Sequence, residues 1–170
     1  MEPKRKLLNH FLAALAYRTQ KALRDAPPDF GSFRAQDGVR TPAELVRHMT
    51  SVLGYARTHF VGGRYWPEPL KSLDEEVKRF HEMLGTLAQH FRNGDPLLND
   101  MTEERLLQGP FSDAMTHAGQ LALLRRLAGA PVPPENFIVA EIRPDRLGPD
   151  QPEPVSPDRV WPEAPPGWKS

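Results

Sequence analysis

The chain has 170 residues, with 22 basic and 22 acidic side chains, no formal net charge and no cysteine. That length makes one domain with at most an appendage, and balanced charge without like-charged blocks argues against nucleic acid as a partner. Without cysteine there are no disulfides, thiolate ligands or cysteine nucleophiles, so any metal has to be held by His, Asp, Glu, carbonyl or water oxygen.

No stretch approaches 18 apolar residues, and Met1 to Lys6 leads into an amphipathic run. Neither a membrane span nor a signal peptide is expected, and the reading is a soluble, cytoplasmic protein. From Lys4 to Arg24, Leu8, Phe11, Leu12, Leu15, Thr19, Ala22 and Leu23 recur at helical spacing, with His10 on the opposite, solvated side. Pro27 and Pro28 stop this helix, and a loop follows to Arg40.

Thr41-Pro42-Ala43-Glu44 is a capping box with proline in the first helical position, and the helix it opens extends to Phe60. Leu45, Met49, Val52, Leu53, Ala56 and Phe60 form its apolar face, with His48, Tyr55 and His59 at the margin. His48 is expected to turn inward. His59 lies roughly 16 Å further along the axis and cannot share a site with it. The loop over 61–69 carries Tyr65 and Trp66, expected to pack together over an end of the helices.

Ser72 with Glu75 opens a third helix reaching Arg92, with Leu73, Val77, Phe80, Leu84, Leu87, Ala88 and Phe91 inward. His81 falls at the margin of that face and His90 on the far side. Thr102 to Gln108 reads as a short helical turn, and Gly109-Pro110 leads into a fourth long helix closed by Gly129. On that helix Asp113, His117, Leu121, Leu124 and Ala128 share one stripe, so two polar side chains are expected to face the interior.

Eleven of the nineteen prolines lie between Pro131 and Pro166, so residues 131–170 are read as an extension and residues 1–130 as the domain. Asn136 to Ile142 is expected to form a short strand or extended segment, and Trp161 and Trp168 to tie the extension to the helices. Four amphipathic helices of similar length predict an all-α four-helix bundle, a fold that builds ligand sites from inward polar side chains on facing helices.

The candidate constellation is His48 with Asp113 and His117. Two imidazoles and a carboxylate suit Zn, Ni, Fe or Mn and leave positions open for water or substrate. From the residues alone, an Asp113–His117 hydrogen-bonded network and an acid–base site without metal stay open beside it. Tyr55 is a candidate for substrate contact or for packing between helices, and Gln120 for bracing His117 or the helix interface. Arg47, Arg57, Arg125 and Arg126 are read as surface charge, with capture of an anionic cosubstrate as the alternative.

Thr41 to Met49, together with His117-Ala118-Gly119-Gln120-Leu121 and Leu124 to Gly129, resembles the DinB/YfiT-like metalloenzyme family. The resemblance spans residues 1 to about 130. It implies an up-down-down-up bundle in which a histidine of the second helix joins two residues of the fourth on a divalent cation. Asp113 stands where the family pattern has a histidine, which moves the preference toward harder cations. The resemblance further implies a small-molecule substrate and a transfer reaction using a low-molecular-weight thiol, or a hydrolysis, with a homodimer as the assembly. Rival expectations are a non-catalytic bundle with a degenerate metal site and a dry core around Asp113, or a bundle binding an apolar ligand under its extension.

Overall fold

The computed structural model describes residues 1–162 and residue 164. Four long helices form where the apolar spacing places them: α1 Pro3–Leu23, α2 Pro42–Val61, α3 Leu73–Asn93 and α5 Ser112–Leu127, with a single turn, α4 Glu103–Leu106, before the last. The Thr41 hydroxyl accepts the Glu44 amide and the Glu44 carboxylate accepts the Thr41 amide, which closes the capping box of α2. Ser72 accepts the Glu75 amide at the start of α3, and Gly94 ends that helix in the left-handed region. Each cap contributes about 1 kcal/mol, whereas burying one large apolar side chain contributes about 1.5–3 kcal/mol. The core therefore decides the packing and the caps decide where each helix starts.

α1 packs on α3 and α5, and α2 packs on the same two helices. Leu12, Leu15, Leu53, Phe80, Leu84 and Phe111 fill the space between the helices, all fully buried. Near the carboxyl end of α2, Phe60 stacks on His90 near the carboxyl end of α3, with ring centroids 4.8 Å apart. At the other end, Arg125 of α5 donates to the carbonyls of Ala22, Arg24 and Asp25, where α1 finishes. His90, placed by its spacing on the far side of α3, is half-buried because its flat ring covers Phe60 while Nδ1 meets the Asp95 carboxylate at 2.7 Å.

The aromatic pair of the 61–69 loop divides. Tyr65 lies over Gly54, where an added Cβ would fall 2.0 Å from its ring, and Trp66 is 80% exposed. In the extension, Asn136 to Ile142 makes turns and bends in place of the expected strand or extended segment. The Asn136 side chain accepts the Ile138 amide and closes a turn, leaving Ile138 92% exposed. Among the described residues there is no strand, and one isolated bridge joins Glu135 to Pro157. The extension lies across α1 and α3: Phe137 packs edge-on to Tyr17 and under the Arg18 guanidinium, and Leu147 and Trp161 are buried. Trp168 lies outside the described residues. Among those residues no helix is long and apolar enough to cross a membrane.

Candidate metal centre

His48 is set by the α2 capping box, which fixes the helix start two turns before it and turns its half-buried ring toward α5. The start of α5 is set differently. Pro110 lacks an amide hydrogen and Gly109 adopts φ −94°, ψ −106°, so residues 107–111 form a wide π-type turn in which the Ser112 hydroxyl donates to the Leu107 carbonyl at 2.6 Å. From that turn α5 carries Asp113 and His117, four residues apart, past His48.

The rings of His48 and His117 meet edge to face with centroids 4.8 Å apart. One ligand atom from each of His48, Asp113 and His117 lies within 4.8 Å of the other two, so the three residues singled out from the sequence come together and could hold one ion. His117 Nε2 stands 3.2 Å from Asp113 Oδ1, yet it makes no hydrogen bond and is buried. Its other nitrogen, Nδ1, is 2.7 Å from Gln120 Oε1. Facing that amide oxygen, Nδ1 carries the ring proton, and Nε2 then presents a lone pair to a carboxylate oxygen. A hydrogen on Nε2 or a cation shared with Asp113 would satisfy this pair. Two donors about 2.1 Å from one ion at a tetrahedral angle stand about 3.4 Å apart, which this pair matches.

Burial is the main influence holding the His48 imidazole below its ordinary pKa, followed by the charges of Arg40 and His117, with Asp113 acting in the opposite sense. A neutral imidazole is the form that binds a cation. The arrangement can therefore offer two imidazole nitrogens and one carboxylate oxygen to a single ion.

Asp113 does not face the interior as its stripe suggested. Its side chain is 46% exposed, against 10% for His117, so it sits on the rim and no dry core surrounds it. The buried face of α5 is centred on Phe111, Ala114, Ala118 and Leu121, which puts Asp113 at its edge, where a carboxylate keeps its contact with water. Tyr55 does not join the group: it lies two turns beyond His48, is 54% exposed, and meets His59 edge to face at 4.8 Å. Arg125, expected as surface charge, is 4% exposed and consumed by carbonyls. Phe137 and Pro144 of the extension lie against α1, so they do not roof the group.

Asn9, Tyr17, Lys21 and His81 were not legible as functional positions, although all four are buried and hydrogen-bonded to the extension. The signal that could have found them is the proline content itself, since chain rich in proline has carbonyls that need donors from elsewhere. No family model, no curated protein and no solved structure matches the chain.

Proposed function

We propose that this protein binds a divalent cation through His48, Asp113 and His117 and is a metal-dependent enzyme of the DinB-like type. The observation that carries the reading is the convergence of His117 Nε2 and Asp113 Oδ1 at 3.2 Å with no hydrogen bond between them, within 4.8 Å of a His48 nitrogen. The meeting of the α1 and α5 carboxyl ends, and of the α2 and α3 carboxyl ends, supports the up-down-down-up course that the resemblance implies. When bound, the cation would supply Lewis acidity, lowering the pKa of a thiol or water so that a nucleophile exists at neutral pH.

The protein's own part is positional. Gln120 fixes the His117 tautomer, and burial keeps His48 neutral. Asp113, on the rim, leaves the approach from solvent open to a small substrate. The reaction class is transfer of a low-molecular-weight thiol to an electrophilic carbon, or a hydrolysis, and a homodimer is part of the reading. The lack of cysteine fits a reactive sulfur brought by a cosubstrate.

The second reading replaces the cation by a hydrogen bond between His117 and Asp113, with no metal chemistry. Calorimetric titration of untagged, chelator-treated protein with Zn²⁺, Ni²⁺ and Mn²⁺ separates the two. The metal reading expects one site per chain, lost in His48→Ala and His117→Ala while helicity is kept. No binding by the parent, or equal binding by His117→Ala, overturns it. For the reaction class, a thiol added to Co²⁺-loaded protein should give a sulfur-to-cobalt charge-transfer band, and sedimentation tests the dimer.

A further inference from the structure

The extension is held on the bundle chiefly by polar bonds from α1 and α3. Asn9 Nδ2 donates to the Pro144 carbonyl at 3.1 Å, Lys21 to that of Pro133, and Arg24 to those of Gln151 and Pro152 at 3.1 and 2.8 Å. Tyr17 donates to the Glu135 carboxylate at 2.7 Å. Apolar burial is smaller by comparison: among the described residues of the extension, Leu147 and Trp161 are the buried apolar side chains, with Leu147 at the edge of the core and Ile142 packed against it. A cavity of about 890 Å³ remains between the extension and the ends of α1 and α5, where Lys21, Arg24 and Arg125 are already committed to carbonyls. Lifting this segment withdraws Leu147 and Ile142 from the edge of the core and leaves the side chains between the four long helices in place.

One of these bonds depends on a proton. His81 of α3 is 5% exposed, its Nδ1 lies 2.7 Å from the Leu147 carbonyl, and its Nε2 is buried with no partner. Nδ1 must therefore carry the hydrogen, and a second proton on Nε2 would put a charge in a dry place with no acceptor. Among the described residues no countercharge faces it. On α3 itself Lys78 and Glu82 are exposed, and α1 offers this stretch of the extension the neutral Asn9. In the extension, Arg143 and Asp145 pair with each other in solvent, Asp150 is exposed and Arg146 is half-buried. Burial is the larger influence on the imidazole and holds it below its ordinary range; the Leu147 carbonyl acts in the opposite sense.

We propose that the extension is a strap latched at His81, closed while the imidazole is neutral and released when it becomes imidazolium. A released ring stands in water and takes its proton near the ordinary value of about 6.5, so the open form binds the proton first and opening is favoured as pH falls below that value. The device is independent of the metal reading, because His81 lies on α3 and the ligand set on α2 and α5.

Hydrogen exchange followed by mass spectrometry on the full chain tests it. Between pH 7 and pH 5, exchange of the amides of residues 141–152, corrected for intrinsic rates, should rise by up to about 25-fold while the core stretch 80–91 stays protected. His81→Asn, whose amide replaces the Nδ1 donor and takes no proton, should abolish the rise. Flat exchange in the parent overturns the latch, and so does an equal rise in His81→Asn or a parallel rise in 80–91. If that variant does not fold, the His81 imidazole resonances of the parent decide: titration with the same midpoint as the exchange supports the latch, and titration without an exchange change overturns it.

Discussion

Gln120 Oε1 lies 2.7 Å from His117 Nδ1, one turn along the same helix, and this contact decides which face of the imidazole is free to bind. With the proton on the outer nitrogen, Nε2 keeps its lone pair 3.2 Å from Asp113 Oδ1 and in one group with His48. A three-residue spacing on one helix thus does for this histidine what a carbonyl or carboxylate does in many metal sites.

Gln120→Ala should therefore weaken divalent-cation binding. Loss of such a partner weakens affinity by roughly 10–100-fold, and because Gln120 is exposed, water can replace part of the bond and the effect should lie near the lower end. Calorimetric titration beside the parent checks it, with Gln120→Glu expected to keep most of the affinity.

Asp113 gives the ligand set its one hard, anionic donor. Asp113→His should raise the preference for Zn²⁺ and Ni²⁺ over Mn²⁺, since imidazole suits the former and carboxylate the latter. Competition titrations with pairs of ions read the change. Because Asp113 is on the rim, the substitution should leave thermal stability within about 0.5 kcal/mol of the parent.

Tyr17 joins the extension to α1 at the opposite end of the pH scale from His81. Burial first, then its bond to Glu135, pushes the phenol well above its usual range. An unfolded tyrosine ionises near about 10, so the folded state keeps its proton longer, and stability should fall as pH rises past that value. Tyr17→Phe should flatten this alkaline loss. At neutral pH it should cost about 1–3 kcal/mol, because a carboxylate with no exposed surface loses a donor. Urea unfolding from pH 7 to 11 measures both effects.

Arg125 fastens the end of α5 to the end of α1 through the carbonyls of Ala22, Arg24, Asp25 and Ala130. Arg125→Met keeps the apolar stem and removes the donors. It should lower stability by about 3 kcal/mol, seen as an earlier thermal midpoint, with cation binding at the distant site retained.

The amino-acid sequence by itself determined the four long helices and their starts, because apolar spacing, the Thr41–Glu44 box and the Ser72 cap are local signals that act within one or two turns. It also singled out Asp113 and His117, since residues four apart on one helix are neighbours whatever else the chain does, and His48 from its place at the margin of the α2 apolar face. Tertiary structure decided which of the two neighbouring stripes of α5 is the buried one: the core takes the stripe of Phe111, Ala114, Ala118 and Leu121, which leaves Asp113 at the edge. It likewise decided that Arg125, Lys21, Tyr17 and His81 are interior groups. Their partners lie in the proline-rich extension or at the end of another helix, and a carbonyl in search of a donor leaves no mark on the residues that will supply it.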